Sequence, residues 1–361
     1  MNKKLLTLAV AAALTAPTAA MAEAVLYGDL HVSIDYASFE NDSYDGWGLN
    51  GGGMMPGKDN RDNQIGVKGS EDLGNGLKAI YHVQINVQLT DEANGLTPND
   101  NVARGTDNLV TMQQSYVGLT SDWGTFVVGR NDTPMYTSTA KLDLFSNTMA
   151  DYNNTVGFDD VRADNAVAYV SPSLAGFQLA GAVVVGGGTT AGSGSNSGAN
   201  SLADAYSVAG VYKNGPLFAS LAYETIGNEL FMNTATSMGP RTSASYISDN
   251  YSKWRLGLGL MDWNGFTVTG IYEDQSADNS LSDKQMWQLQ AGYSFGSNMV
   301  KAMYGIGEYS NLDNEDYSTW AIAFDHNLSK RTKAYVLYNQ YSHDVSNNDW
   351  DGFSVGMIHH F

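Results

Sequence analysis

The chain has 361 residues, no cysteine, and 38 acidic against 19 basic side chains, a formal charge of -19. These numbers exclude a disulfide scaffold and any Cys-based metal or nucleophile site, and with no basic stripe they argue against nucleic acid as a partner. The 7 Trp, 21 Tyr and 12 Phe are too many for a merely solvated, disordered chain.

In chain order, Met1–Ala22 reads as a secretory signal. Lys3 and Lys4 form the positive n-region, Leu5–Ala16 the apolar h-region, and Ala20-Met21-Ala22 the small-x-small cleavage site. Cleavage would start the mature chain at Glu23 and leave 17 basic against 38 acidic residues, a charge of -21. The h-region is too short to span a bilayer as a helix, which takes about 20 apolar residues. No later run approaches that length. If the mature chain lies in a membrane, a closed β-barrel is therefore the spanning structure left to it.

From Ala24 onward, strand-like segments recur. Val25–Phe39 alternates, with Leu26, Leu30, Val32, Ile34 and Tyr36 on one face and Tyr27, Asp29, His31, Ser33 and Asp35 on the other. A Gly- and Asp-rich loop runs to about Asp62. Gln64–Ser70, Leu77–Leu89, Asn108–Thr120 and Thr125–Arg130 follow. The stretch Asn131–Ala163 then loses the alternation, and it is far longer than the roughly 12–15 residues usual for an irregular connection. Strand character resumes at Asp164–Val170 and Phe177–Val185, and after a Gly/Ser/Thr tract at Ala203–Tyr212 and Leu217–Thr225. Beyond the polar Ile226–Asn250 come Tyr251–Met261, Phe266–Gln275, Lys284–Phe295, Met299–Tyr309, Tyr317–His326, Thr332–Tyr341 and Gly352–Phe361.

That makes sixteen strands, joined alternately by tight turns and long polar loops, in one domain. Such a layout fits an outer-membrane barrel. A water-soluble β-sandwich alternates in the same way, but two features favour the barrel. Aromatics crowd the segment ends (Tyr27, Tyr36, Trp254, Trp263, Trp287, Tyr293, Phe353, Phe361), and the polar face is not uniformly charged. On this reading Asn131–Ala163 folds into the bore and narrows it, rather than lying out in solvent.

Several segments resemble the general porins of Gram-negative bacteria. Ile65–Ala79 looks like the hairpin joining their second and third strands. Ser115–Leu119 with Gly124–Arg130 looks like the next hairpin, and Asp164–Pro172 like the strand after their long loop. Phe353–Phe361 ends in the aromatic, Phe361, that the family uses as an assembly signal. The resemblance covers the mature chain. It implies a sixteen-stranded outer-membrane barrel, usually a homotrimer, inserted by the barrel-assembly machinery through its C-terminal strand. Such a barrel would lie among lipid and lipopolysaccharide and pass small hydrophilic solutes by diffusion, with no cofactor. It also implies an inward-folded third external loop, Asn131–Ala163, presenting carboxylates across from a ladder of wall bases.

The chain departs from that ladder. Asp29, Gln64 and Gln113 stand at positions that are commonly basic in the family, while Arg162 matches. Lys68 and Arg130 are further bases, although Arg130 serves equally well as a brace on backbone carbonyls at the loop base. The local balance tips negative, and acidic rings favour cations, so the expectation is a cation-preferring pore. Among the loop acids, Asp143 and Asp151 are the better candidates for facing the bore. Asp159 and Asp160 stand beside Arg162 and are expected to be partly neutralised by it. Any single Asp is more often a turn-capping or solvated residue. Acid clusters such as Glu40-Asn-Asp42 or Asp313–Asp316 are more simply solvated charge than divalent-cation sites.

No histidine pair has the spacing of a metal site on one face, and His359 and His360 point to opposite faces. An enzyme on the same barrel would need a nucleophile with an orienting His. No convincing triad is found, and Ser33 with His31 lies on the proposed bore face. A secreted sandwich adhesin and a substrate-specific channel remain as alternatives. The loop carries no evident aromatic slide, which ranks the specific channel below general diffusion.

Overall fold

The computed structural model describes residues 23–40, 45–50, 63–87, 89–90, 110–158, 160–186, 202–227, 250–278, 283–312, 315–344 and 348–361. The signal segment and Asp159 lie outside these residues.

The strands are β1 (Glu23–Phe39), β2 (Asp45–Asn50), β3 (Gln64–Gly74), β4 (Leu77–Val87), β5 (Val110–Ser121), β6 (Gly124–Asp132), β7 (Arg162–Val170), β8 (Phe177–Val184) and β9 (Ala205–Asn214). They continue as β10 (Leu217–Ile226), β11 (Tyr251–Trp263), β12 (Phe266–Ala277), β13 (Lys284–Phe295), β14 (Asn298–Tyr309), β15 (Tyr317–Asn327), β16 (Thr332–His343) and β17 (Trp350–His360). Each wall strand pairs antiparallel with its neighbours, and β17 returns to β1 from Asp29↔His360 to Phe39↔Trp350. Pairing the first strand with the last closes the wall into a cylinder, which removes the two free end strands that an open sheet would present.

Sixteen of these strands make the wall. The seventeenth, β2, falls in the Gly- and Asp-rich stretch expected to be a loop. It pairs with one half of β1, Ser33↔Asn50 to Ser38↔Asp45, while β3 pairs with the other half, Glu23↔Ser70 to Asp29↔Gln64. The 17-residue length of β1 supplies the template. Tyr36 fixes the join, donating its hydroxyl to Asp45 at 2.7 Å and packing its ring 5.3 Å from that of Trp47. Six residues with two glycines are too short a segment to stand out from the surrounding Gly- and Asp-rich stretch.

Side-chain parity is that of a barrel in lipid. Outward positions are large and apolar, such as Leu221, Leu258, Leu289 and Ile322, all more than half exposed. Inward positions of the same strands are polar and buried: Glu224, Arg255, Gln290 and Thr319. A water-soluble sandwich would place these the other way round. Outward aromatics pair across strands near both rims, as Trp254–Tyr272, Trp287–Tyr304 and Trp320–Tyr338 near one, and Phe266–Tyr293 and Trp123–Tyr169 near the other. Tyr27 is a correction to the expected girdle. It points into the bore and donates its hydroxyl to Gln84 at 2.7 Å, because it shares parity with the buried His31 and Ser33.

Candidate pore constriction

The connection between β6 and β7 turns inward and runs along the inner wall. It starts as a helix, α1 (Pro134–Thr139), whose form is set locally. Thr133 caps it, accepting a bond from the Tyr136 N–H, and Pro134 fills the first turn, where no N–H is needed. The base is closed by Thr133 N–H donating to the Val161 carbonyl at 3.0 Å. Met135 is buried against Ala209 and Ala222, and its N–H donates to the Ser207 hydroxyl at 3.0 Å.

A 3₁₀ turn (Ala140–Leu142) follows. Leu142 packs with Phe218, Ile271 and Met286, together with Tyr152, Val156 and Phe158 of the same loop. Further on, Phe145, Met149 and Ala150 pack against Met303, Leu337, Trp350 and Ile358. Wall glycines make room for this contact. A Cβ on Gly257 would fall 2.7 Å from Leu142 and 2.9 Å from Thr139, and one on Gly352 would fall 2.5 Å from the Met149 sulfur. A Cβ on Gly305 would collide with Val156. These strands leave a shallow bed, and apolar loop side chains fill it.

Charge fixes the loop as firmly as packing does. Arg255 on β11 is fully buried, with Nη1 2.6 Å from Asp160, Nε 2.6 Å from Glu273, and a bond from Nη1 to the Thr139 hydroxyl at 2.9 Å. Lys301 donates to the Leu144 carbonyl at 2.6 Å and pairs with Asp325 at 3.0 Å. Tyr317 donates to the Val156 carbonyl at 2.6 Å, and Lys284 to the Gly157 carbonyl at 3.2 Å. These wall donors tie loop acceptors to the barrel, and such bonds offset part of the cost of taking polar groups out of water.

The loop acids do not face the bore as expected. Asp143 is 7 % exposed and Asp151 9 %. Asp143 accepts from the N–H groups of Phe145 and Tyr152 and from the Gln290 amide at 2.7 Å. Burial raises its pKa to about 6, against the pull of these donors. Asp151 caps a second short helix, α2 (Tyr152–Thr155), accepting from Asn153 N–H at 2.8 Å and from Asn147 N–H at 2.8 Å. Short carboxylates at helix starts and turns satisfy backbone donors before they meet solvent. Asp160 pairs with Arg255 and also accepts from the Tyr152 hydroxyl, while Arg162, the expected neighbour, pairs with Asp132 at 2.5 Å. Burial raises the Asp160 pKa, with Arg255 opposing.

The other expected residues line the opposite side. Asp29 meets His360. Gln64 accepts from Gln84 at 2.7 Å, and Lys68 lies 4.9 Å from the centre of the Tyr27 ring. Gln113 is buried at a bulge where β4 and β5 shift register. Its carbonyl accepts from Arg130 Nε at 2.9 Å, and Arg130 also pairs with Asp164 at 2.8 Å. Arg130 therefore braces the loop base. Gln114 donates to Asp132 at 2.5 Å, which joins the amide wall to the Asp132–Arg162 pair. Sequence reasoning missed Arg255, Glu273, Gln290 and Lys301. Their one signal was inward parity, charged or amide groups alternating with outward apolar residues.

A family model described as Gram-negative porin matches residues 7–347. The chain belongs to the Gram-negative porin family. Outer membrane porin protein 32 of Delftia acidovorans is 26 % identical over 348 residues, covering 93 % of this chain and 88 % of that one. Among solved structures, the anion-selective porin from Comamonas acidovorans superposes with a TM-score of 0.69 at 20 % identity, covering 94 % of this chain and 100 % of that one. In-vitro folded OmpT of Vibrio cholerae, in its trimer form, gives 0.62 at 11 % identity, covering 94 % and 99 %. At such identities the superpositions establish the fold. This porin is a non-enzymatic diffusion channel of the Gram-negative outer membrane, a closed sixteen-stranded barrel with an inward-folded loop.

Proposed function

We propose that Asn131–Ala163 sets the width of the pore and that the channel weakly prefers cations. One observation carries the reading: the loop is held against the inner wall from β9 to β17, which leaves the passage bounded by the loop's free edge and the wall of β1 and β3–β6. Wall bases expected of the family are absent there, with Asp29, Gln64 and Gln113 in their place. The loop acids are bonded inward and contribute little to a ring of charge. The preference then comes mainly from the mature chain's excess of 38 acids over 17 bases, focused by the low-dielectric barrel. A field of that origin is screened over about 10 Å at 0.1 M salt and about 3 Å at 1 M.

Planar-bilayer recording in a KCl gradient tests this. Cation preference at 0.1 M that shrinks toward 1 M is the expected result, and a reversal potential of anion-selective sign overturns it.

Met1–Ala22 is the export signal in this reading, so the mature protein would begin at Glu23, which N-terminal sequencing of outer-membrane material checks. Homotrimers embedded in lipid and lipopolysaccharide are the proposed assembly, with small hydrophilic solutes as cargo; three equal conductance steps per insertion support it. Phe361 is proposed as the assembly signal read by the barrel-assembly machinery. Its backbone exchanges both hydrogen bonds with Gly28, at 3.0 and 3.1 Å, and its ring covers that glycine. The last residue thus completes the closing seam, and deleting it should lower the folded yield.

A further inference from the structure

The ion pair at the base of the loop differs from the others that fasten it. Asp132 is the last residue of β6 and Arg162 the first of β7, and the two stand in register where the loop leaves and rejoins the wall. Arg162 Nε donates to Asp132 Oδ1 at 2.5 Å, and the Gln114 amide on β5 donates to Oδ2 at 2.5 Å. The guanidinium carbon lies 5.9 Å from the centre of the Tyr136 ring on α1. Both carboxylate oxygens are thus engaged, and the guanidinium rests against a carboxylate and an aromatic face.

Exposure separates this pair from the cluster around Arg255. The side chains of Arg255, Glu273 and Asp160 are 0, 0 and 3 % exposed, whereas Arg162 and Asp132 keep 19 and 14 %. Charges sealed behind the loop act on its docking. Charges that reach water on the inner wall also act on the ions passing it. At 2.5 Å apart the two form a short dipole, and a passing ion feels the near-cancelling sum of two Coulomb terms rather than either alone. Removing one partner leaves the other as a bare unit charge.

We propose that Asp132 is a specificity-determining residue of this channel, one that acts by neutralising Arg162. With Asp132 in place, Arg162 adds no net charge to the passage. Without it, a guanidinium would stand beside the uncharged Gln114 amide on the wall that bounds the passage, and a base there favours anions. The inference rests on the proposed pore geometry, in which β6 belongs to that bounding wall.

A double-variant cycle tests this, read by reversal potential in a KCl gradient near 0.1 M, where charge is screened over about 10 Å, with unit conductance recorded alongside. Asp132→Asn should move selectivity toward anions by about fivefold in the permeability ratio, the bias that one unit charge gives an ion about 4 Å away in water. Arg162→Gln should move it toward cations by a similar factor. The double variant should return close to the wild-type ratio, and so should Asp132→Glu, which restores the charge. A merely structural role predicts otherwise: loosening the loop base would raise conductance in both single variants and move their reversal potentials in the same direction. Shifts of one sign, no shift in Asp132→Asn, or a double variant that stays shifted each overturn the proposal. Should Asp132→Asn fail to insert, Arg162→Gln decides alone, and anything but a shift toward cations overturns it. An anion-selective wild type would overturn the cation-preferring reading without touching this one, because the cycle compares variants with one another.

Discussion

The two sides of the bore are built from different chemistry. From β9 to β17 the inward face carries glycines, alanines and charges neutralised against each other or against the loop, as Arg255 is by Asp160 and Glu273. On β1 and β3–β5 it carries amides, phenols and imidazoles in side-chain networks, such as Tyr27 with Gln84 and Gln84 with Gln64. The first side is made to be covered, and small residues with buried ion pairs are how a wall accepts a rigid insert. The second is made to stay wet, since its groups lose little by facing water. On the proposed reading, the width of this pore belongs to one side and its solute preference to the other.

The sharpest way to break that division is Arg255→Met. It leaves Asp160 and Glu273 buried without their cation, an effect of about 3–5 kcal/mol when one partner of a buried pair is removed. Unit conductance should rise and amide hydrogen exchange across 131–163 should quicken, while the sign of ion selectivity holds. Unchanged conductance would mean that Arg255 does not hold the loop.

Acidity sharpens the comparison next. The folded pKa of Asp143, about 6, lies above the ordinary 3.8. Below 3.8 the group is protonated whether the loop is docked or free, and it carries no penalty. Between these values the docked state keeps a proton that the free loop has lost, and above about 6 the full cost of a buried carboxylate remains. That cost is about 2–3 kcal/mol at most by the linkage of pKa to stability. Asp160 is shifted in the same direction. Loop protection from exchange should therefore be greater at about pH 4.5 than at about pH 7.5. Asp143→Asn should flatten the dependence, though it docks more weakly throughout because an amide N–H₂ meets backbone donors.

Gly257→Val tests packing without charge. Its Cβ would stand 2.7 Å from Leu142, and overpacking of this kind costs about 1–3 kcal/mol. The loop should shift and conductance rise, by less than in Arg255→Met.

Much of this was legible in the sequence, and the rest has physical reasons for hiding. Lys284–Phe295 shows its two faces outright, and the failure of alternation over Asn131–Ala163 marks the insert. The partner of Asp160 was not legible. Arg162 is two residues away, but it lies on the strand beside Asp132, and the side chain that reaches Asp160 is Arg255, 95 residues on. Sequence proximity says little about pairing inside a barrel, where any inward residue can meet the loop. The glycine bed was hidden as well, because Gly257 or Gly352 in a strand reads the same whether it admits a loop or merely a bend.

Gln64→Arg should have the smallest structural effect and is the cleanest test of the wet side. Gln64 is part-exposed, and its side-chain oxygen accepts one amide bond from Gln84, so the swap should alter stability by no more than about 0.5 kcal/mol. It restores a base where the family commonly has one, beside Asp29, with which Gln64 is in register. An added cation in a narrow bore draws anions, so the reversal potential in a low-salt gradient should move toward anions. Unit conductance should stay near the wild-type value, since the loop does not bear on this position. Because exposed charge is screened within a few ångströms at about 1 M salt, the shift should largely vanish there. A shift of equal size at both salts would place the introduced guanidinium in a dry constriction, which would mean that the amide wall is itself the narrowest point of the pore.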